Sequence, residues 1–142
     1  MTDQMYIDDS SQYITDKAIK ENKLLPAGTL LFSFKLTIGK VAITKNPLYT
    51  NEAIAGLVVN DPIIRKYLYY ILPTLDYTAN RAAKGNTLNK DTVGDIDIPF
   101  DEKIVPVLVK ELDDLEREKQ QLIERKNKIQ LTMLKKIKST IF

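Results

Sequence analysis

The chain has 142 residues and a formal net charge of +2, and it contains neither cysteine nor histidine. It therefore has no disulfide, no thiolate nucleophile, no imidazole base and almost none of the ligands that zinc prefers, which leaves carboxylates, lysines and tyrosines for any acid–base chemistry. A net charge this small does not by itself indicate a partner such as nucleic acid. Composition thus argues against an enzyme and predicts neither a metal site nor a cofactor.

The start of the chain, MTDQMYIDDSSQ, is polar and acidic and lacks the apolar segment of a signal peptide. No apolar run in the sequence approaches the ~20 residues that a membrane-spanning helix needs. We therefore expect a cytoplasmic protein that does not cross a membrane.

Three short apolar runs follow an irregular start, which carries one weak amphipathic segment at Ile14–Ile19. The runs are TLLFSF (29–34), KVAIT (40–44) and AIAGLVV (53–59), and turn-forming glycine, asparagine and proline residues separate them. Strands joined by such short turns predict a compact, largely antiparallel sheet.

A helix and a last strand are predicted after the third run. Asp61 is a helix N-cap with proline at the next position, apolar residues then recur at helical spacing, and Pro73 ends the helix. Beyond the polar loop 77–91, VGDIDIP (93–99) alternates apolar and polar residues and predicts an edge strand. Its two aspartates resemble a catalytic carboxylate pair, but side chains two apart on a strand share one face, and a solvent-exposed face is the simpler interpretation.

A long helix is predicted from about Pro106 onward. Glycine and proline are absent from residues 107–142, and a helix of about 30 residues would extend roughly 45 Å. Its apolar stripe, near heptad spacing, consists of Leu108, Leu112, Leu115, Leu122 and Ile129. Acidic residues stop at Glu124 and six basic residues follow, which either suit the helix C-terminus electrically or form a basic contact surface. The sequence therefore predicts an α+β protein with a small sheet domain over residues 1–100 and a long helix over 101–142.

Two groups of polar and basic residues are candidates for binding. Lys35, Lys40 and Lys45 flank the first two strands, where they either keep the surface soluble or share a binding surface. The polar loop carries a second group, which consists of Arg81, Lys84, Asn86 and Thr87. Cations contact phosphates, and amides and hydroxyls hydrogen-bond to base edges, yet loops of this composition are also ordinary turns. The residues alone leave DNA contact and a plain turn both open.

Four segments occur in an order that resembles a known family. They are LLPAGTLLFSFKLTIGKVAI (24–43), TNEAIAGL (50–57), YLYYIL (67–72) and KGNTLNKDTVGDIDIP (84–99). Together they resemble the second half of a target recognition domain from the specificity subunit of type I restriction-modification enzymes. The long helix is similar to the spacer helix of that family, and the resemblance covers about residues 14–142.

The resemblance implies a subunit without catalytic activity that reads double-stranded DNA. Methyl transfer and cleavage would belong to its partners, a DNA methyltransferase subunit and a restriction subunit. With Lys35 and Arg81 added from the two basic groups, the predicted DNA-binding positions are Lys35, Thr37, Gly39, Lys40, Asn51, Arg81, Lys84, Asn86 and Thr87. Among them, Gly39 is expected to serve its turn more than a DNA contact, and Asn51 is either a contact or a buried turn-former.

The sequence departs from the family pattern in three ways. It holds one recognition unit instead of two, its start lacks the opening strands of a complete recognition domain, and FDEKIVPV (100–107) replaces the usual proline-rich turn after the last strand. The chain is therefore expected to be a half-subunit, a truncated product or a fragment.

The long helix predicts two kinds of partner. As a half-subunit, the chain would pair residues 107–138 antiparallel with a second copy, giving a homodimer with its two sheet domains at opposite ends; the orientation follows from the family's spacer arrangement. The alternative function is a protein-interaction adaptor, which docks on methyltransferase subunits through this helix without binding DNA itself.

Overall fold

A mixed four-stranded sheet and a long helix form two units, Met1–Asp101 and Glu102–Phe142. The computed structural model describes residues 4–8, 23–35, 37–77 and 88–142, so the amphipathic segment predicted at Ile14–Ile19 lies outside the described residues. The elements in chain order are β1 (Tyr6–Ile7), β2 (Leu30–Ser33), β3 (Val41–Thr44), β4 (Ile54–Leu57), α1 (Pro62–Ile71), a 3₁₀ turn (Leu72–Thr74), α2 (Lys90–Val93) and α3 (Ile104–Ile141). This architecture confirms the predicted α+β class.

The sheet has the strand order β1–β3–β2–β4. The β2–β3 hairpin is antiparallel, with Leu30 opposite Ile43, and β4 pairs antiparallel with the other side of β2. Every residue of β2 and β3 is buried, which explains why both strands are nearly continuous apolar runs in the sequence. The three predicted strands are confirmed, whereas β1, which pairs parallel with β3, was not predicted.

The core of the sheet unit is built around Phe32 and Phe34, which are buried almost completely. Burial of side chains of this size stabilises the fold by about 1.5–3 kcal/mol each. Two buried threonines lie where β2 begins and β3 ends, and the hydroxyls of Thr29 and Thr44 donate to the Pro26 carbonyl at 2.6 and 3.1 Å. This end of the sheet is therefore closed by hydrogen bonds within the protein.

Helix α1 begins as its sequence predicts. The Asp61 carboxylate accepts from the backbone N–H groups of Ile63 and Ile64 at 2.8 and 3.2 Å, with proline in the first turn. The α-helix ends at Ile71, and the chain continues as the 3₁₀ turn that contains the predicted terminator, proline. The buried Tyr67 hydroxyl donates to the Pro99 carbonyl, so α1 also holds the end of the sheet unit.

The strand predicted over 93–99 is absent. Asn89 and Thr92 cap each other instead: the Asn89 N–H donates to Thr92 Oγ1 and the Thr92 N–H donates to Asn89 Oδ1, each at 2.8 Å, which stabilises the short helix α2. Residues 96–100 form no strand, although Ile96 and Ile98 pack on the core. Alternating burial thus occurs here without strand pairing. Asp95 and Asp97 are both exposed, as expected for a solvent-facing pair.

Helix α3 is longer than predicted and runs over Ile104–Ile141. Its proline lies in the first turn, where the missing N–H leaves no intrahelical hydrogen bond unmade. Ion pairs three residues apart, Asp114–Arg117 at 3.1 Å and Glu116–Lys119 at 3.3 Å, lie on its surface. No helix in the described ranges combines the length and the apolar composition that a membrane crossing requires.

Candidate nucleic-acid interface

The loops that carry the predicted DNA-binding residues meet at one end of the sheet. Phe32 lies opposite Val41, and Ser33 lies opposite Ile54, so β2 ends where β3 and β4 begin. The β2–β3 turn, described at residues 34–35 and 37–40, and the turn that leads into β4, residues 51–53, therefore lie side by side. We call these residues the turn end of the sheet.

Side chains at the turn end are mostly polar and exposed. Lys35, Thr37, Lys40 and Asn51 are all solvent-exposed. Glu52, also exposed, contributes an acid, so the described charges are two cations and one anion. Lysines can contact phosphates at such a surface, and threonine and asparagine can donate to and accept from base edges.

Backbone hydrogen bonds close the β2–β3 turn. The Ser33 N–H donates to the Lys40 carbonyl at 2.9 Å, and the Gly39 N–H donates to the Ser33 carbonyl at 3.0 Å. Gly39 has φ +90°, a left-handed conformation that residues with a Cβ rarely adopt, and it is buried. The structure thus gives Gly39 the turn-forming role that was expected to outweigh contact.

The second turn is tied to the first through Ala53. The Asn51 side-chain oxygen accepts from the Ala53 N–H at 2.9 Å, and the Ala53 carbonyl accepts from the Phe34 N–H at 3.1 Å. Asn51 is therefore a turn-former, as one of its two interpretations held, but it is exposed where that interpretation expected burial. A residue in this position can hold its turn with one atom and still face a ligand.

Tyr77 packs against the β2–β3 turn from the side of the 3₁₀ turn. Its ring centroid lies 5.7 Å from that of Phe32, and its hydroxyl donates to the Leu72 carbonyl at 2.5 Å. Burial raises the pKa of the Tyr77 hydroxyl to about 12, because the phenolate would be poorly solvated. In the sequence Tyr77 marks only the start of the polar loop; an aromatic residue placed between a helix end and a polar loop was the signal that could have identified it.

Four predicted DNA-binding residues lie outside the described residues, namely Arg81, Lys84, Asn86 and Thr87. Tyr77 and Leu88, the described residues on either side of them, both belong to the hydrophobic core that contains Phe32. Lys45, the third lysine beside the strands, lies at the opposite end of β3 from Lys40 and pairs with Asp8 at 3.1 Å. It is thus separated from the turn end.

The predicted partner residues of α3 differ in exposure. Leu108 and Leu112 are half-buried, whereas Leu115, Leu122 and Ile129 are 60 %, 59 % and 51 % exposed. Further apolar side chains of the same helix are also exposed, and these are Ile104, Val107, Ile123, Leu131, Met133, Leu134, Ile137 and Ile141. The apolar surface of α3 is therefore more extensive than the predicted stripe.

The described part of the chain contains no cluster of three acidic, cysteine or histidine side chains that could hold a metal ion. At the turn end two lysines, a threonine hydroxyl and an asparagine amide are exposed on hydrogen-bonded turns. The residues present suit contact with a phosphate-bearing polymer and provide no constellation of nucleophile, base and orienting group.

Comparison with known proteins gives the surface its context. The chain matches the model of the type I restriction modification DNA specificity domain over residues 3–133. It is also 32% identical to the type I restriction enzyme MjaIX specificity subunit of Methanocaldococcus jannaschii, in an alignment that covers 92% of this chain and 33% of that subunit. The chain spans about a third of the length of this relative. Because the family match includes most of its residues, the chain belongs to the type I restriction-modification DNA specificity domain family.

Proposed function

We propose that this chain is a non-enzymatic DNA-recognition module of a type I restriction-modification specificity subunit, which positions a methyltransferase subunit and a restriction subunit on double-stranded DNA. The observation that carries the proposal is the turn end of the sheet. In a member of this family, two turns bring Lys35, Thr37, Lys40 and Asn51 to one exposed surface. Hydrogen bonds within each turn, and one between them from the Phe34 N–H to the Ala53 carbonyl, hold the backbone of that surface.

Two kinds of contact are expected from these residues. Lys35 and Lys40 supply affinity by neutralising phosphates, which releases counterions and makes binding fall steeply with salt. Thr37 and Asn51 supply sequence preference through base edges. We propose from the sequence alone that the loop residues add to both affinity and sequence preference. These residues are Arg81, Lys84, Asn86 and Thr87.

A salt titration of DNA binding tests this assignment. The chain is expected to bind a mixed-sequence duplex at low salt, and Lys40→Ala is expected to reduce the salt slope by about one unit for its lost phosphate contact. Lys45→Ala is the matched control, because Lys40 and Lys45 flank the same strand, β3, and are both exposed, but Lys45 lies at the other end. Its salt slope is expected to equal that of the wild type.

Two outcomes would contradict the assignment of DNA contact to the turn end. If Lys40→Ala and Lys45→Ala weaken binding alike, DNA does not contact the turn end in particular. If the wild-type chain binds no duplex even at low salt, DNA recognition by this chain is excluded. If the wild-type chain does bind duplexes, selection of preferred duplexes from a random pool, with the cognate methyltransferase subunit present, would identify the sequence that it reads.

We further propose that α3 pairs antiparallel with α3 of a second copy. The exposed apolar side chains of this helix need a cover, and a second copy offers the same surface. Charge supports the orientation: residues 107–124 carry six acids and three bases, whereas residues 125–142 carry six bases and no acid. An antiparallel pair sets each acidic half beside the basic half of the other helix, and a parallel pair sets like charges together.

A second candidate function is the adaptor, which docks on methyltransferase subunits without binding DNA. The same exposed apolar surface of α3 favours it, because such a surface suits any partner helix. The two functions differ in one measurement. An adaptor captures the methyltransferase subunit with an affinity that DNA leaves unchanged and shows no salt-dependent duplex binding of its own, whereas a recognition module shows both interactions.

A further inference from the structure

Gly39, at the base of the β2–β3 turn, lies in a slot formed by other segments of the sheet unit. A Cβ built on Gly39 would stand 3.4 Å from Tyr77 Cε2 and 3.8 Å from both the Leu72 carbonyl oxygen and Pro73 Cα. The Tyr77 hydroxyl donates to that same Leu72 carbonyl. One tyrosine thus packs on the glycine and is fastened by its hydroxyl to the 3₁₀ turn, which also borders the glycine.

The contacts around Gly39 bear on the β2–β3 turn because the Gly39 N–H takes part in the hydrogen bonds that close this turn. Gly39 donates to the Ser33 carbonyl, and the next residue, Lys40, accepts from the Ser33 N–H. The Tyr77 ring also packs on Phe32, which immediately precedes Ser33. Tyr77 therefore packs on Phe32 in β2, just before the turn, and on Gly39 within the turn, two residues before β3 begins.

We infer that Tyr77 is a positioning residue for DNA binding: it holds Gly39 against the 3₁₀ turn and so fixes the place at which the β2–β3 turn presents Thr37 and Lys40. This inference rests on the proposed function. Tyr77 itself is buried, so it acts through the turn and does not touch DNA. Preorganisation of a binding loop lowers the entropy that is lost when the ligand binds.

Amide hydrogen exchange tests the hold on the turn without DNA. Tyr77→Phe removes the hydroxyl and keeps the ring, and Tyr77→Leu removes both. Exchange at the Gly39 and Ser33 amides is expected to rise roughly two- to tenfold in Tyr77→Phe, the factor that corresponds to one lost hydrogen bond. A larger rise is expected in Tyr77→Leu, while amides that pair β2 with β4 keep their protection.

Ile43→Val provides the matched control. Ile43 is buried in β3 and pairs with Leu30, away from the turn, so its truncation lowers thermal stability without touching the slot. When it is compared with the Tyr77 variants at the same loss of melting temperature, Ile43→Val is expected to leave unchanged the ratio of hydrogen exchange at the Gly39 amide to that at core amides. A general loss of stability is in this way separated from a local opening of the turn.

A double-mutant cycle in duplex binding tests the positioning itself. Lys40→Ala is expected to weaken binding of a mixed-sequence duplex less in a Tyr77→Leu background than in the wild type, because a lysine that is no longer held contributes less. In an Ile43→Val background the effect of Lys40→Ala is expected to be that of the wild type. Both backgrounds are compared at a temperature at which the chain is folded.

Each outcome has one meaning. Unchanged Gly39 exchange in Tyr77→Leu overturns the inference, as do equal effects of Lys40→Ala in the wild-type and Tyr77→Leu backgrounds. If the wild-type chain binds no duplex, the proposed function fails and the positioning role fails with it. In that case raised Gly39 exchange in the Tyr77 variants still establishes the hold of Tyr77 on the turn, so the two failures are distinguishable.

Discussion

The sheet unit and the α3 helix place their apolar side chains in opposite ways. In the sheet unit Leu30, Phe32 and Ile43 are at most 1 % exposed, and hydrogen bonds within the unit satisfy its buried threonines. In α3 large apolar residues remain on the surface along most of its length. The first region has its own core and is expected to be stable at any protein concentration. The second exposes apolar side chains along its own surface, so under the proposed pairing its stability should depend on protein concentration.

The largest expected effect is a loss of stability that is confined to the sheet unit. Phe32 is fully buried and packs on Tyr77, so Phe32→Ala is expected to lower the free energy of unfolding by about 3–5 kcal/mol. Urea unfolding followed by tyrosine fluorescence measures it. Leu115→Ala in α3 is the control, and a change of more than about 0.5 kcal/mol in the unfolding of the sheet unit by that variant would contradict the independence of the two regions.

Disruption of the apolar surface of α3 is the next largest effect. Leu122→Glu is expected to convert a dimer to monomers, since each copy loses the burial of a leucine, about 1.5–3 kcal/mol per copy. Light scattering and sedimentation measure the mass. Gln121→Glu places the same charge on the neighbouring exposed residue, in a different direction around the helix, and should remain dimeric. A monomeric wild type, or equal dissociation of both variants, would contradict pairing through the stripe.

A pH titration should affect the sheet unit through Tyr77. Burial disfavours the phenolate and raises the pKa of Tyr77 from its ordinary value of 10.0 to about 12 in the folded protein. The folded state therefore holds the proton more tightly, so this stabilisation is complete below pH 10 and is lost as the pH rises toward about 12, by roughly 2–3 kcal/mol. The urea midpoint of the wild type should fall relative to that of Tyr77→Phe in this interval. Parallel curves would show that Tyr77 does not titrate in this way.

Loss of a surface ion pair should change the free energy of unfolding least, and by a similarly small amount in both regions. Arg117 lies 3.1 Å from Asp114 in α3, and Lys45 lies 3.1 Å from Asp8 in the sheet unit, with all four side chains more than half exposed. Asp114→Asn and Asp8→Asn are each expected to cost no more than about 1 kcal/mol, and to cost less in high salt. Chemical denaturation with and without added salt measures both; a larger loss in either variant would mean that the pair has a structural role.

Those parts of the fold that depend on local sequence were predictable. The apolar runs gave the three longer strands, and Asp61 followed by proline gave the start of α1. The strand β1 was missed because two residues carry no periodicity and their partner, β3, lies some 35 positions away along the chain. The strand at 93–99 was wrong because alternation records which side of a segment is buried, while pairing requires a neighbouring strand with free hydrogen-bonding groups.

The residues of the candidate site are predictions from the sequence, whereas their arrangement could not be predicted from it. Lys40 and Asn51 were identified from the sequence, whereas their common position at the turn end follows from the pairing of β2 with both β3 and β4. Tyr77 was not identified, because its importance lies in contacts with Gly39 and Leu72, which come from different segments. Long-range packing of this kind leaves no local pattern in a single sequence.

The pairing of β1 with β3 has a consequence for the handling of this protein. Tyr6 and Ile7 cover the outer edge of β3, whose four residues are entirely buried. A chain shortened by its first eight residues would expose the backbone N–H and C=O groups of a flat, apolar edge, which is a template for pairing with other chains. The first eight residues thus protect the sheet from aggregation. A purification tag should be attached after α3 and should not replace them.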